Sequence, residues 1–249
     1  MGKMPWLWQR RFSINNTPLV IPQKSRQILF LHGYQSFGNS FIHQLNFFNK
    51  DFEVFAPDLK GFGVNTPMPY PYSLDEYIME VGEYMYKNSL SFPNVVAHSF
   101  GGRIVLKGVG TGRLNFDKLI LTGCAGLKPR WSIKKSAKRT IFRLLKNFVN
   151  KQKLEFCYSK EYLSLPPVMR ESFKLIVQEK LDMYLEKIQN QTLIINGSLD
   201  KDVPTYQAKR LNRGIKNSTL SIYKGAGHFC FLDKPNKFNL EVKEFLLSI

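Results

Sequence analysis

Ser99 is the residue whose surroundings point most directly to chemistry in this sequence of 249 residues. It follows a short segment, 94–98, that we predict to be a buried strand. Small residues stand two positions away on either side, Ala97 and Gly101. They permit a tight turn from strand to helix, with the serine Oγ exposed beside the positive end of the helix. A serine before a helix can also be a simple N-cap, so the other motifs must distinguish a nucleophile from a cap.

A nucleophilic Ser99 needs a base and a carboxylate that orients the base, because a serine hydroxyl is a weak nucleophile at neutral pH. His228 follows the last predicted strand, and Gly225 and Gly227 give its loop the freedom to bring an imidazole over the serine. The other three histidines lie in strand-end motifs or within a helical pattern: His32, His98 and His43. His228 is therefore the predicted base.

The orienting carboxylate is expected on a loop that follows a strand, because the carboxyl ends of parallel strands meet at one edge of a sheet. The segment 197–204 follows such a predicted strand and contains two aspartates, Asp200 and Asp202. Both are close enough in sequence to reach the same imidazole. The residues alone leave the choice between them open.

Short apolar segments alternate with amphipathic ones along most of the chain, which predicts an α/β fold with a parallel, doubly wound sheet. The predicted strands are 27–31, 52–56, 94–98, 118–123, 192–197 and 219–223. Helices are predicted around 41–48, at 73–88 with Ser73 as N-cap, directly after Ser99, at 203–214 and at 234–247. Residues 1–26 are predicted to form an antiparallel hairpin.

One long stretch, 127–190, has helical patterning and no strand signal. It predicts a helical cap inserted between two core strands, with residues 1–126 and 191–249 forming the core. Its first helix, 133–150, has an apolar face surrounded by lysines and arginines. Such a helix either binds an anionic membrane surface or packs on the core with solvated lysines. Aromatic residues of the cap are candidates for a pocket lining or for core: Trp131, Phe142, Phe156 and Phe173.

The net charge of +17 favours an anionic partner, such as a membrane surface, an acidic carrier protein or an anionic substrate, although a general excess of surface lysine gives the same value. No nucleic-acid-binding motif accompanies the charge, so nucleic acid is not an expected partner. Three widely spaced cysteines predict free thiols in a reducing compartment: Cys124, Cys157 and Cys230. With no apolar run long enough to span a bilayer, these features predict a cytoplasmic protein, with peripheral binding at the inner face of the membrane as an option.

Five motifs, in this order, resemble the landmarks of the α/β-hydrolase superfamily: His32-Gly33, 58–63, 97–102, 197–204 and 225–228. Together they span almost the whole chain outside the predicted cap. The resemblance implies that Ser99 is the nucleophile, that His228 is general base and then acid, and that Asp200 orients the imidazole. It favours Asp200 over Asp202 because the acid of the family lies three residues after the glycine at position 197.

The resemblance also implies an oxyanion hole formed by the backbone N–H groups of Tyr34 and Phe100. Dehalogenases and epoxide hydrolases carry aspartate at the position of Ser99, so the serine argues against both classes. The glycine-rich oxyanion loop of many lipases is missing, as is the Gly-Gly-Pro of proline iminopeptidases. What remains resembles the small capped serine hydrolases.

The expected activity within that group is hydrolysis of a small or medium-chain carboxylic ester through an acyl-enzyme, without a cofactor or a metal. One alternative is hydrolysis of a carbon–carbon bond in a 2-hydroxy-6-oxo-dienoate, the reaction of meta-cleavage-product hydrolases, with the same triad. Another is a non-catalytic protein that binds a ligand or a partner. The loop sequences do not separate ester cleavage from carbon–carbon bond cleavage.

Overall fold

The structure is a computed structural model that describes residues 26–65, 67–129 and 160–248. Its strands are β1 (Gln27–Leu31), β2 (Glu53–Phe55), β3 (Asn94–His98), β4 (Leu119–Thr122), β5 (Thr192–Gly197) and β6 (Ser218–Tyr223). They form one six-stranded sheet in the order β2-β1-β3-β4-β5-β6, and every pairing is parallel. The predicted α/β fold class is confirmed.

Helices cover both faces of this sheet. The described α-helices are α1 (Ile42–Phe48), α2 (Leu74–Lys87), α3 (Phe100–Gly110), α4 (Lys160–Ser164), α5 (Pro167–Gln178), α6 (Thr205–Gly214), α7 (Cys230–Asp233) and α8 (Pro235–Leu247). Two 3₁₀ segments, Gly38–Phe41 and Asp182–Lys187, are also described.

Alternating side chains of the central strands contribute to two separate apolar clusters, one on each face of the sheet. Leu29 and Val95 share a cluster with residues of α2 and α3. Ile28 and Val96, one position away, share the other cluster with residues of α1 and α8. Because both faces are covered, these strands are continuous apolar runs rather than alternating ones.

Helix α2 begins with the predicted N-cap, Ser73, whose hydroxyl oxygen accepts a hydrogen bond from the Asp75 N–H at 3.1 Å. The Ser73 N–H donates in turn to Glu76 Oε2 at 2.7 Å. This capping box pairs amide groups that the first turn of a helix otherwise leaves without partners. It fixes the direction of α2, whose buried face meets the loop between β2 and α2.

Each strand predicted within the described residues is present, with its ends shifted by at most one residue. The helix predicted around 41–48 begins as a 3₁₀ turn, and the short helix α7 has no signal in the sequence. The predicted hairpin at 1–26 lies outside the described residues apart from Arg26, and the basic helix at 133–150 lies wholly outside them, with Trp131, Phe142, Phe156 and Cys157. Cys124 and Cys230 are buried free thiols.

The described end of the predicted cap, 160–190, packs closely on the core. Leu181 and Leu185 belong to the same apolar cluster as β1 and α3. A Cβ atom on Gly110 of α3 would lie 2.5 Å from Tyr184 Cβ, so the Tyr184 side chain packs directly against the backbone of α3. The cap boundary stays a prediction. Within the described ranges, no helix has the length and apolar character needed to cross a membrane.

Candidate active site

The residues singled out from the sequence lie on four loops at the carboxyl edge of the sheet. Tyr34 follows β1, Ser99 follows β3, Asp200 follows β5 and His228 follows β6. Parallel strands bring their carboxyl ends to one edge, which is where open α/β sheets bind ligands. Residues that are up to 194 positions apart in sequence therefore share one region.

Ser99 occupies a strained turn between β3 and α3, with φ 48° and ψ −100°. Positive φ is unfavourable for a residue with a Cβ atom, so the neighbouring structure has to hold this conformation. The Ser99 N–H donates to Thr122 O at 3.0 Å, and Ser99 O accepts from the Ala125 N–H at 3.3 Å. A Cβ atom on Gly101 would lie 2.4 Å from Leu31 O, so only glycine lets α3 begin this close to β1.

His228 and Asp200 form a direct hydrogen bond. His228 Nδ1–H donates to Asp200 Oδ2 at 2.8 Å, and the Asp200 side chain is fully buried whereas that of His228 is 14% exposed. Asp200 Oδ1 accepts two further bonds, from the N–H groups of Asp202 at 2.9 Å and Val203 at 2.8 Å. The carboxylate is thereby fixed in orientation, and it selects the imidazole tautomer in which Nε2 is an acceptor.

Asp202, the competing acid, is exposed and contacts Asp200 through its backbone N–H. Its carboxylate lies within 4.8 Å of ligand atoms of Asp200 and His228, which gives the three residues the composition of a metal site. A cation between His228 Nδ1 and Asp200 Oδ2 would have to replace the hydrogen bond that joins them. The absence of a metal stays a prediction.

The backbone N–H groups of Tyr34 and Phe100 have no hydrogen-bond acceptor among the described residues. Tyr34 lies in a tight turn, in which the Ser36 N–H donates to Gly33 O at 3.2 Å. Phe100 is the first residue of α3, where amide groups and the helix dipole together favour negative charge. These two amides have the character that an oxyanion hole requires.

Aromatic rings form a second side of the site around Tyr34. The centroid of its ring lies 4.8 Å from that of Phe62, 5.4 Å from that of Phe100 and 5.1 Å from that of Phe173, all with edge-to-face geometry. Its hydroxyl donates to Met169 O at 2.7 Å. Because Phe173 and Met169 belong to α5, the described end of the predicted cap contacts the loop after β1 directly.

Comparison with known proteins agrees with this architecture. The sequence profile of the alpha/beta hydrolase family matches residues 28–241. The chain belongs to this family. The AB hydrolase superfamily protein YisY of Bacillus subtilis is 26% identical over an alignment 246 positions long, which covers 88% of this chain and 91% of that protein.

Two further relatives are similar over most of their length. 2-Hydroxymuconate semialdehyde hydrolase of Pseudomonas putida is 25% identical over an alignment 215 positions long, which covers 78% of this chain and 76% of that protein. The solved structure of the esterase EaEST of Exiguobacterium antarcticum matches with a TM-score of 0.69 at 24% identity, over 89% of this chain and 92% of the other. At that identity the match supports the fold alone.

In this alpha/beta hydrolase, α5 is anchored to α3, the helix that begins after Ser99. The Arg103 guanidinium of α3 donates to Ile176 O and, at 2.7 Å, to Glu179 O. Lys107, one turn later, forms ion pairs with Glu179 at 2.8 Å and with Asp75 of α2 at 2.9 Å. These contacts hold the end of α5 where its carbonyl groups would otherwise lack partners.

The loop between β2 and α2 is fixed by Asp58, whose Oδ1 and Oδ2 accept from the N–H groups of Gly38 at 2.7 Å and Val64 at 2.8 Å. The Leu59 N–H donates to His32 Nε2 at 3.0 Å. His32 Nδ1–H must therefore be the donor to Gly33 O, at 2.8 Å, so the imidazole is neutral. Burial lowers the pKa of His32, which keeps the imidazole neutral.

Glu80 of α2 also binds the loop between β2 and α2. Its Oε1 accepts from the Lys60 N–H at 2.8 Å and from Asn65 Nδ2–H at 3.0 Å. Burial raises the pKa of Glu80 to about 7, although the bonds from Lys60 and Asn65 oppose the shift. Phe62 of the aromatic side is part of this loop.

Sequence reasoning singled out the residues at the strand ends but not those that support them. Arg103 and Lys107 carried a usable signal, because two cations in an otherwise apolar helix must find buried partners. For His98, the sequence predicted only a position at the end of a strand. Glu80 had no distinguishing signal.

Proposed function

We propose that this alpha/beta hydrolase is a serine hydrolase with a Ser99–His228–Asp200 triad. It cleaves small or medium-chain carboxylic esters. The observation that carries the proposal is the 2.8 Å hydrogen bond from His228 Nδ1 to Asp200 Oδ2. It leaves His228 Nε2 as the proton acceptor that a nucleophilic Ser99 requires.

The reaction has two steps. Ser99 Oγ attacks the ester carbonyl carbon while His228 Nε2 takes the hydroxyl proton, and the N–H groups of Tyr34 and Phe100 stabilise the oxyanion. His228 then gives that proton to the departing alkoxide, which leaves an acyl group on Ser99. Water, deprotonated by His228, attacks the acyl-enzyme, and the carboxylic acid departs as the proton returns to Ser99. Asp200 keeps the imidazole oriented and stabilises its charged form.

The aromatic side of the site supports a substrate with an apolar acyl group. Tyr34 has its hydroxyl engaged by Met169 O, so it presents ring carbon rather than a free polar group. Phe173, which is partly exposed, extends this surface, and the buried ring of Phe62 supports Tyr34 from behind. Aromatic rings bind apolar groups by burying apolar surface area, and the buried area increases with the length of the acyl chain.

A second candidate is hydrolysis of a carbon–carbon bond in a 2-hydroxy-6-oxo-dienoate. It is favoured by the similarity to 2-hydroxymuconate semialdehyde hydrolase of Pseudomonas putida over 78% of this chain. The same three residues would serve that reaction. The two activities therefore have to be separated by substrate rather than by residue.

The test is labelling of the purified protein with a fluorophosphonate, together with rates on p-nitrophenyl esters of increasing acyl length and on a ring-opened dienoate. We expect labelling and ester turnover that both disappear in Ser99→Ala, since removal of a triad nucleophile costs several orders of magnitude in kcat. Ser89→Ala is the matched control, because Ser89 has a similar φ of 57° at an exposed position.

Each other result has a distinct meaning. Turnover of the dienoate with negligible ester hydrolysis would favour the carbon–carbon bond hydrolase. A folded protein that neither labels nor turns over any substrate would favour a ligand-binding role. Full activity in Ser99→Ala would refute the mechanism.

A further inference from the structure

His98, the last residue of β3, lies between two of the loops that form the site. It is 1% exposed. Its Nε2 lies 3.2 Å from His228 O, and the centroids of the two imidazole rings are 4.7 Å apart. The residue directly before Ser99 is therefore in contact with the backbone of the residue that carries the predicted base.

The hydrogen bond defines the tautomer of His98. A carbonyl oxygen can only accept, so Nε2 of His98 must carry the proton and donate to His228 O. Burial, with a smaller contribution from His228, lowers the pKa of His98 to about 3. The ring therefore remains neutral over the range in which hydrolases are assayed, and it adds no positive charge beside His228.

The other edge of the His98 ring contacts the loop after β1. A Cβ atom on Gly33 would lie 2.7 Å from His98 Nδ1 and 3.1 Å from His98 Cε1, so glycine is required for the ring to fit. Gly33 immediately precedes Tyr34, whose N–H is a proposed oxyanion donor. His98 is thus wedged between the loop of the base and the loop of the oxyanion hole.

The carbonyl of His228 also lies close to Gly123. A Cβ atom on Gly123, which has φ +51°, would lie 3.1 Å from His228 O. Phe229 and Phe231 pack on the His98 ring with centroid distances of 4.9 Å and 5.1 Å. There is therefore little free space beside the oxygen, and His98 is its hydrogen-bond donor among the described residues.

We propose that His98 is a positioning residue that holds the backbone of His228 and the Gly33–Tyr34 turn at a fixed separation on either side of Ser99. This inference rests on the proposed role of His228 as general base. Without the donor, the His228 carbonyl would be buried and unpaired, and the loop would shift to find a partner. A displacement of about 1 Å at a reacting group can lower the rate about 100-fold.

One experiment observes His98 directly in the wild-type protein, by ¹⁵N NMR of the imidazoles between about pH 5 and 9. We expect Nε2 of His98 to be protonated and Nδ1 to be unprotonated over the whole range. A ring that gains a second proton in this range, or that carries its proton on Nδ1, would overturn the proposal. This measurement needs neither a substrate nor a variant that folds.

The second experiment compares His98→Gln, which keeps an N–H donor of similar reach, with His98→Phe, which keeps a ring and removes the donor. In His98→Phe we expect kcat for the preferred ester to fall about 10- to 100-fold with KM changed less than about threefold. His98→Gln should stay within about fivefold of wild type. His43→Gln, at an exposed position of α1, is the matched control.

Two outcomes of this comparison would refute the positioning role. Wild-type kcat in His98→Phe would show that the donor is dispensable. Equal losses in the Gln and Phe variants would show that ring shape, rather than the hydrogen bond, is what matters.

A readout without turnover separates this inference from the proposed function. The proton on His228 Nδ1, bonded to Asp200, should give a sharp signal in the wild type and in His98→Gln and a signal broadened by exchange in His98→Phe. If the wild type neither labels nor hydrolyses esters, the proposed function fails. The signal of the proton on His228 Nδ1 still tests whether His98 positions His228. An unchanged signal in His98→Phe would overturn the positioning role.

Discussion

The two sides of this site are held by different forces. The polar side consists of Ser99, Asp200 and His228, and hydrogen bonds of defined direction fix the last two. The aromatic side consists of rings such as Tyr34 and Phe173, whose edges pack at centroid distances near 5 Å. Directional bonds lose their strength with small displacements, whereas packed rings can adapt. We therefore expect the polar side to control kcat and the aromatic side to control KM and acyl preference.

The largest effect should come from the polar side. Asp200→Asn replaces a carboxylate that accepts from His228 by an amide that stabilises the wrong tautomer, and we expect kcat to fall about 10⁴-fold with KM little changed. Steady-state kinetics on the preferred p-nitrophenyl ester measures it. Asp202→Asn, at an exposed neighbouring position, should stay within about threefold of wild type. A greater loss in Asp202→Asn than in Asp200→Asn would reverse the assignment of the acid.

Arg103, which anchors α5 and with it the aromatic side, should contribute to the stability of the fold. Arg103→Met removes the donors to Ile176 O and Glu179 O, and we expect the free energy of unfolding to fall by about 2–3 kcal/mol. Urea denaturation measures it. Arg213→Met, at an exposed position of α6, should change it by less than about 0.5 kcal/mol. Equal effects of the two substitutions would mean that the buried contacts add nothing.

A smaller and more selective effect should follow from Phe173→Ala. Removal of this ring from the aromatic side should raise KM for medium-chain esters about 10-fold, because about 1.5 kcal/mol of apolar contact is lost. The acyl-length series measures it, and kcat should change less than about threefold. Leu175→Ala, on the exposed face of α5, is the control. A fall in kcat at constant KM would instead link Phe173 to the reacting groups.

The smallest effect concerns the loop that carries Phe62. Burial raises the pKa of Glu80 to about 7, with Lys60 and Glu83 as the nearby charges. Between the ordinary value of 4.5 and about 7 the folded protein binds more protons than the unfolded chain, so this group lowers the free energy of unfolding as pH rises. Denaturation at several pH values should show a clearly weaker decline in Glu80→Gln and only a small change of slope in Glu83→Gln, because the Glu83 charge is a minor cause of the shift. Identical slopes in wild type and Glu80→Gln would contradict the shift.

Local patterns in the sequence were sufficient for the sheet. β3 and β5 are short apolar segments covered on both faces, and such segments can be recognised without knowledge of their neighbours. The N-cap at Ser73 was predictable for the same reason, because its partners lie within three residues. The 3₁₀ start of the helix near Phe41 was not, since packing against the sheet decides it.

The positions of Ser99, Asp200 and His228 at one edge followed from the sequence as well. Each lies on the segment that follows a predicted strand, and parallel strands bring their carboxyl ends together. The choice of Asp200 as the partner of His228 needed the tertiary structure or a family resemblance. The two aspartates are only two residues apart, and what distinguishes them is that the folded loop buries one and exposes the other.

The sequence by itself determined the order of strands and helices and the loops that carry the polar side, because these depend on periodicity and on residues adjacent in the chain. Only the tertiary structure decided the contacts between distant segments. Arg103 reaches Glu179, and His98 reaches His228 across 130 positions. Such contacts depend on how whole elements pack against one another, and packing is a property of three-dimensional shape that no local spacing encodes.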